Sequence, residues 1–474
     1  MKHFIRWFFA VSLVLALASP AFSAGFALIE QSVGGLGNAF AGAAATGEDA
    51  STIFFNPAAL TLLEGQQVVA GAHVIAPSAK FSKESASNAL GLPISGGNSG
   101  DAGVVGVAPN LYYAANLNNG WSVGLGIFAP FGLATEYDKD WVGRYHAVES
   151  DVMTININPT VAYRVNENLS LGAGVSAQYI DVTLSQMVDF GLSAYSQLAT
   201  AAQQAAALGD AATAATLLAQ ANALYDNGVI SNTNADIYAD LTADDWGYGF
   251  NLGALYEFNE NTRVGVAYRS RIKHTVKGDA VFTQQNPTYL AAIGLDAAAT
   301  ASFPNQGVKG DITLPASASL SAYHRINPQW AVMADIMWTE WSTFDKLVIE
   351  FDGALPDSVT TENWDDNWRY SVGANYTPND RLVLRGGLAY DETPIPDAKH
   401  RTPRIPGEDR FWVAFGAGYK LTKQMNLDFG YAHLFVQDSK IDKEAVGEDQ
   451  PRGELVGEYE NSVDIISAQL SYSF

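Results

Sequence analysis

The sequence predicts an all-β protein: a 14-stranded antiparallel transmembrane β-barrel, with an N-terminal hatch plugging its lumen and a helical extracellular loop. Three observations carry this prediction. From about residue 65 onward, apolar and polar residues alternate with period two. The alternating stretches are joined by short turns and long loops in strict rotation, the asymmetry of an outer-membrane barrel. Beyond residue 23 there is no run of 18 apolar residues, so no transmembrane helix is available.

Composition narrows the field. The 474 residues carry 50 Asp and Glu against 27 Lys and Arg, a net charge of −23, and no cysteine. That charge excludes a general nucleic-acid binder, which needs a basic face for phosphates. Without cysteine there is no disulfide scaffold, Cys-ligated zinc or thiol nucleophile. Mean hydropathy is near zero, against a helical membrane bundle. In a barrel such a value is the average of lipid-facing and lumen-facing residues that alternate.

Residues 1–23 read as a secretory signal peptide. Lys2 and Arg6 form its basic start, Trp7 to Ala18 its apolar run of 12 residues, and Ala21-Phe22-Ser23 a small-residue cleavage site before Ala24. Removing Lys2 and Arg6 leaves 25 basic and 50 acidic residues, a charge of −25. Residues 24–65 do not alternate and are rich in Gly and Ala, as in Gly34-Gly35-Leu36-Gly37. Small residues let backbone segments pack closely, so this stretch is expected to be the hatch. It matches no nucleotide-loop pattern.

Residues 66–474 are expected to form the barrel. Ile466, Ala468, Leu470, Tyr472 and Phe474 share one face of the last strand, with serines and Gln469 on the other. The aromatic end suits recognition by the barrel-assembly machinery. Six short turns, near residues 117–120, 166–168, 259–261, 327–329, 378–380 and 422–424, are rich in Asn, Gly, Pro and Asp. Seven long connections lie between them, near 80–103, 131–150, 187–243, 279–310, 340–366, 392–409 and 437–462. Six turns and seven loops join 14 strands and put both barrel ends on the periplasmic side. In lipid such a ladder must close.

The longest loop holds two helix-favouring stretches, Ala194 to Leu208 and Ala211 to Leu224, split by Gly209-Asp210. Leu198, Leu208, Leu217 and Leu218, with Tyr289, Leu290, Ile293 and Phe303 of the next loop, are expected to form an apolar capture groove. The same residues also serve to pack the loops into a cap.

Chemistry beyond binding finds little support. None of His73, His146, His274, His324, His400 and His433 has a serine two residues away, the spacing of a dyad on one strand face. No histidine cluster suggests a metal. The acidic run from Asp438 to Glu458 is expected to be a solvated face, with a weakly held divalent ion as the other reading.

Short motifs then fall in a specific order: Ala24-Gly25-Phe26, Gly35-Leu36-Gly37, Asn56-Pro57-Ala58, Gly132-Leu133-Ala134-Thr135-Glu136, Tyr268-Arg269-Ser270, Pro328-Gln329-Trp330 and Asp409-Arg410-Phe411-Trp412. In order and spacing the chain resembles the FadL/TodX family of outer-membrane transporters over essentially its whole mature length. The resemblance implies passive uptake of a hydrophobic molecule, most simply a long-chain fatty acid, into the cell through the outer membrane of a Gram-negative bacterium. It implies capture on the extracellular loops, a hatch change involving Gly35, Gly37 and Asn56-Pro57-Ala58, and lateral release at a kinked third strand. Gly126, Pro130 and Gly132 supply a chemical means for that kink, because Pro removes a ladder donor. Strand parity places Arg269, Arg271 and Lys273, and likewise Arg369, Arg385 and Arg410, in the lumen. With Lys346 they are candidate partners for a ligand carboxylate; pairing with Asp335 or Asp428 is the structural alternative. Gln178-Tyr179-Ile180-Asp181-Val182 lacks the basic residue the family pattern calls for, which leaves alkanes or aromatic hydrocarbons as the alternative substrate. A lipid-modifying enzyme and a purely structural or adhesive barrel are the competing classes. No cofactor, metal or nucleic acid is expected. The partners expected are the hydrophobic ligand, outer-membrane lipid and lipopolysaccharide, and the assembly machinery, with the protein a monomer.

Overall fold

The computed structural model describes residues 25–474. The expected signal peptide and Ala24 lie outside the described residues. Strands run up and down around a closed barrel: β1 (Gln66–Ser87), β2 (Gly106–Asn116), β3 (Trp121–Phe128 and Gly132–Glu136), β4 (Glu149–Arg164), β5 (Leu169–Val188), β6 (Ile237–Asn259) and β7 (Thr262–Arg269 and Ile272–Gln284). They continue with β8 (Gln306–Leu314 and Ser317–Arg325), β9 (Trp330–Thr339), β10 (Asn367–Asn379), β11 (Leu382–Asp391), β12 (Arg410–Lys420), β13 (Met425–Val436) and β14 (Glu454–Ser473). Each pairs antiparallel with the next. β14 closes the circle on β1 from Gln67↔Ser473 to Ser87↔Glu454. The fold is therefore the 14-stranded barrel that the alternating connections predict.

The outer surface fits a bilayer. Leu171, Val175, Leu252, Val266, Leu320, Val372, Phe415 and Ile466 are exposed on it. Aromatic side chains border this apolar zone. Toward the short turns, Trp121 stacks on Tyr163 and Trp330 on Tyr376, each at 4.6 Å between ring centres. Toward the long loops, Tyr179 meets Trp246. Aromatic girdles at both interfaces mark a membrane-spanning barrel.

Three strands are interrupted. β3 breaks at Ala129-Pro130-Phe131, and β7 and β8 break opposite each other, at Ser270-Arg271 and Pro315-Ala316. Between β6 and β7 the register moves by one residue across this break, from Asn251↔Arg269 to Asp244↔Lys277. A one-residue slip exchanges the inner and outer faces.

The hatch winds through the lumen as three short helices, α1 (Val33–Gly37), α2 (Ala43–Thr46) and α3 (Thr52–Phe55), then a 3-10 turn over Pro57–Leu62. Ahead of α1, residues 26–31 form an extended strap. The outer loops build a cap. Its helical hairpin, α4 (Phe190–Ala207) and α5 (Ala211–Asp226), starts each helix at an aspartate. Asp189 accepts from Leu192 N–H at 2.8 Å and Asp210 from Thr213 N–H at 3.0 Å. The long connection between β9 and β10 contains a small hairpin, Lys346–Phe351 with Ser358–Thr361, leaning on β8.

Ion pairs hold the cap together. Arg144, fully buried, donates to Asp236 at 2.7 Å, to the Ser95 carbonyl at 2.7 Å and to Tyr145 Oη at 2.8 Å. Elsewhere Glu362 is buried near Lys443, Arg404 and Arg452 and accepts from Trp364 Nε1 at 3.1 Å. Burial pushes its carboxyl up from 4.5 to about 7, against the pull of those cations. A raised carboxyl pKa gives stability that is present below about pH 4.5 and lost as pH rises through about 7. Glu362→Gln is therefore expected to leave the cap unchanged at pH 5 and to stabilise it at pH 8, by at most about 3 kcal/mol. Hydrogen exchange of residues 358–364 at the two pH values measures this; equal protection of parent and variant at pH 8 would contradict it.

Candidate ligand cavity and its hatch

The hatch sits against the barrel through glycines. At Gly172, Gly253, Gly265 and Gly387 on the inner wall, an added Cβ would strike hatch atoms. They are the Pro57-Ala58 backbone, Asn56, the Ala44 carbonyl and the Asn38 carbonyl, in that order. Gly37 meets Gly416 of β12 in the same way, and an added Cβ at Gly35 would press on Phe40. Glycine leaves room there for hatch backbone at Gly172, Gly265, Gly387 and Gly37, and for the side chains of Asn56 and Phe40 at Gly253 and Gly35.

Asn56 is the densest fastening. Its Nδ2 donates to the Ala44 carbonyl at 2.6 Å and to the Ala254 carbonyl of β6 at 3.1 Å. Its Oδ1 accepts from Ala58 N–H at 3.0 Å, capping the 3-10 turn that Pro57 begins. Arginines of the wall bind hatch carbonyls. Arg263 holds Ala45 and Thr46, Arg269 holds Phe54 at 2.9 Å, and Arg369 holds Ala39 at 2.9 Å. Ala39 and Phe40 have φ of 51° and 56°, left-handed backbone that non-glycine residues enter only under constraint.

The strap fills the break in β3. Leu28 N–H donates to the Pro130 carbonyl at 2.8 Å, and Gly132 N–H donates to the Phe26 carbonyl at 2.9 Å. Gln31 Nε2 donates to the Ala129 carbonyl at 2.6 Å. Phe26 lies in an aromatic box with Trp341 at 4.8 Å, Phe344 at 5.6 Å, Trp364 at 6.1 Å and Phe131 at 6.2 Å. Gly25, with φ of 62°, passes so close to Trp341 and Trp364 that a side chain would overlap both rings. Strap, strand break and outer loop thus meet at Phe26. Near the break, an added Cβ on Gly126 would meet Phe128 at 2.9 Å and Ile53 of the hatch at 3.1 Å.

A largely apolar cavity lies beside this junction. Ala27, Leu28 and Ile29 of the strap, Phe54, Phe55 and Pro57 of the hatch, Pro130 and Phe131 of the break, and Trp341 and Trp412 line it. Only two cations, Arg269 and Arg369, reach it, with Asp391 opposite. The centre of a water-sized sphere can move through about 90 Å³ there, against about 460 Å³ in a polar vestibule below the hatch. The aromatic rings therefore close the upper cavity while the vestibule is roomy. Neither Arg269 nor Arg369 has a carboxylate within salt-bridge distance among the described residues. Arg369 is 2 % exposed and its Nε and Nη1 have no hydrogen-bond partner.

The other basic candidates are elsewhere. Arg271 and Lys273 project outward, exposed, and pair with Glu340 and Asp311 at 2.6 Å each. Parity assigned them to the lumen; the break at Ser270-Arg271 reverses the phase, so Ile272 points in instead. Lys346 is exposed on the cap hairpin and does not reach the lumen. Arg385 is committed to Asp428 at 2.8 Å and Glu48 at 3.1 Å beside the lower vestibule. Arg410 faces Asp391 at 3.8 Å behind the cavity wall.

The capture residues divide. Leu290 is fully buried, and Leu198, Tyr289 and Phe303 pack against the same small core. Leu208, Leu218 and Ile293 are exposed and Leu217 is half-buried. The packed members form the cap and the exposed ones its apolar outer surface.

Sequence reasoning missed the aromatic box, the buried Glu30, and a contact across strands. His73 sits between Ser467 Oγ at 2.7 Å and Asn110 Nδ2 at 3.0 Å. All three side chains are buried and none lines a cavity, so this is a wall fastening without substrate access. Only pairing register brings them together. Among the described residues no group of three or more His, Asp or Glu could hold a metal ion.

Comparison with known proteins matches this geometry. The family described as outer membrane protein transport protein (OMPP1/FadL/TodX) matches residues 14–474. The chain is 32% identical to the long-chain fatty acid transport protein of Escherichia coli K12 over 436 residues, 92% of this chain and 93% of the other. It is 32% identical to a putative outer membrane protein of Neisseria meningitidis serogroup B over 468 residues, 96% of each. It is 33% identical to outer membrane protein P1 of Haemophilus influenzae over 447 residues, 92% and 90%. The fold matches a crystal structure of a Pseudomonas aeruginosa FadL homologue with a TM-score of 0.81 and 24% identity, over 95% of this chain and 100% of the other. The toluene transporter TodX of Pseudomonas putida follows at 0.65 and 20%, over 95% and 99%.

The glycine seams make a prediction. Gly253→Val or Gly265→Val is expected to unseat Asn56 and α2, at about 1–3 kcal/mol for each overpacked contact. Single-channel conductance in planar bilayers measures it: the variants should pass ion currents well above the parent. Parent-like conductance would mean the hatch does not depend on these contacts.

Proposed function

The chain belongs to the OMPP1/FadL/TodX family of outer membrane transport proteins and takes up hydrophobic molecules across the outer membrane, and on that premise we propose that its substrate is a long-chain fatty acid. The observation that carries this reading is an apolar cavity holding two arginines without carboxylate partners, next to a strand break bridged by the strap.

In this reading the leader, 1–23, is cleaved and residues 24–65 act as the hatch of the 66–474 barrel. The ligand first meets the apolar cap surface at Leu208, Leu218 and Ile293, with lipopolysaccharide around the rim. Its hydrocarbon chain then enters the aromatic cavity. Each methylene removed from water contributes about 0.8 kcal/mol, so no energy source is needed. Its carboxylate pairs with the spare donors of Arg369 and Arg269. Strap withdrawal opens β3 sideways and the ligand leaves through the wall. Asn56-Pro57-Ala58 anchors the remaining hatch rather than hinging it, since Asn56 bonds barrel and hatch at once. The protein acts as a monomer, and its aromatic last strand serves the assembly machinery.

Uptake of alkanes or aromatic hydrocarbons by the same route is the second reading. It is favoured by the uncharged lumen face of β5, where Gln178 is tied up with His274 at 3.0 Å.

The lateral route has a direct test. Ala27 and Phe131 face each other in an antiparallel bridge, and the chain has no cysteine of its own. Ala27→Cys with Phe131→Cys, oxidised, is expected to abolish uptake of labelled oleate by cells, and reduction to restore it. Undiminished uptake through the cross-linked protein would place the exit in the periplasm instead.

A further inference from the structure

We propose that the seam between β6 and β7 is a membrane-side entrance to the cavity. Through it a single-chain carboxylate amphiphile already dissolved in the outer leaflet enters chain first, its head group held by Arg271 and Lys273. The inference rests on the fatty-acid reading and adds a second way in besides the cap.

The two strands pair from Ile237↔Gln284 to Asp244↔Lys277, and again from Asn251↔Arg269 downward. Between these stretches, residues 245–250 of β6 and 270–276 across the β7 break form no ladder pair. Six strand residues cover about 20 Å. Side chains replace part of the missing ladder. Asp245 accepts from Thr275 N–H at 2.8 Å, and Ser270 Oγ accepts from Phe250 N–H at 2.9 Å. Irregular backbone at membrane depth is tolerated where it lines a cavity, and the cavity lies at the lower end of this seam. Leu252, Tyr268 and Arg269 line it, with Pro315 of the facing break in β8. One cavity thus touches two interruptions of the wall, this seam and the β3 break. On the inner side, an added Cβ on Gly247 would meet Ile272 at 2.5 Å and His274 at 2.7 Å, and one on Gly249 would meet Ile272 at 2.7 Å. Side chains of β7 therefore lie across β6 here, and side chains move aside more readily than a ladder.

The outer side of the seam matches the ligand. Trp246, Tyr248 and Phe250 are exposed along its β6 edge. Trp246 belongs to the aromatic girdle on the long-loop side, so the seam runs from head-group level into the apolar zone. Arg271 and Lys273 stand exposed on its β7 edge, each paired with one surface acid, Glu340 and Asp311. Exposed ion pairs are weak, so an arriving carboxylate can take either cation through charge-assisted hydrogen bonds. A fatty acid in the outer leaflet presents its carboxylate at that level and its chain beside the aromatic edge.

The experiment places the full chain in phospholipid vesicles with a stearic acid bearing a mid-chain diazirine, and maps the residues labelled on photolysis by mass spectrometry. Phe250 at the seam is expected to carry at least about fivefold more label than Phe415 on β12, a more exposed residue of the same type. Arg271→Gln with Lys273→Gln should bring Phe250 down to the level of Phe415. In a protein with Ala27→Cys and Phe131→Cys oxidised to seal β3, label should still reach Trp412 in the cavity. The same two substitutions should cut that label about fivefold, whereas ligand arriving through the cap would not respond to them. Equal labelling of Phe250 and Phe415 in the parent would overturn the proposal, as would undiminished label at Trp412 in the double variant. Should that variant fail to give the compact, heat-modifiable barrel on gels, the comparison of Phe250 with Phe415 in the parent still decides. Label at Trp412 without enrichment at Phe250 removes the entrance and leaves the transport reading standing; label at neither place removes both.

Discussion

Backbone at membrane depth must find its hydrogen bonds inside the protein, and this constraint shapes the whole molecule. The barrel meets it by closing β14 on β1. The hatch cannot, because its short helices leave carbonyls and N–H groups unpaired at every end. The wall supplies the missing partners. Arg263, Arg269 and Arg369 donate to hatch carbonyls, Ser321 accepts from Ala44 N–H, and Gln469 accepts from Val33 N–H. Where hatch and wall come closer than any side chain allows, as at Gly37 and Gly416, glycine stands.

That arrangement gives the lumen arginines an unexpected main task. They are chiefly fasteners of irregular backbone, and in the proposed function a ligand carboxylate takes the donors they have to spare. Arg385 and Arg263 have little spare capacity, being bound to carboxylates or carbonyls on several sides. Arg369 uses one nitrogen on Ala39 and keeps two free beside the cavity. The distinction between a structural and a ligand-binding arginine is therefore one of donor count at a given site, and residue type alone does not reveal it.

This explains what the sequence did and did not disclose. Strand number, the helical hairpin and the β3 interruption are local properties: alternation, helix-forming composition, and a proline followed two residues later by glycine. They follow from the chain within a few residues of each element. The faces of Arg271 and Lys273 are not local. They depend on breaks in two strands, β7 and β8, lying opposite each other, and Ser270-Arg271 carries no glycine or proline to announce its share. Pro315 did offer a signal on the partner strand. The Phe26 box and the His73 contact join residues hundreds of positions apart, and only register assembles them. Gly25-Phe26 stood out as a motif, while Trp341 and Trp364, which explain why Gly25 must be glycine, lay unmarked in a loop.

The division of strength within the hatch decides which part of it can move. Three hydrogen bonds of about 1 kcal/mol each, with about 1.5–3 kcal/mol from burying Phe26, hold the strap in β3. The rest of the hatch has Asn56, three arginines and the glycine seams. A hydrocarbon chain of about 15 methylenes leaving water contributes roughly 12 kcal/mol. Part of that gain suffices to release the strap, and the far larger hold on the remaining hatch stays intact. On the proposed lateral route the β3 break then opens sideways while the glycine-seated plug stays between the cavity and the lower vestibule. On that route a barrel built this way would admit a hydrophobic molecule to its wall without becoming a water-filled pore.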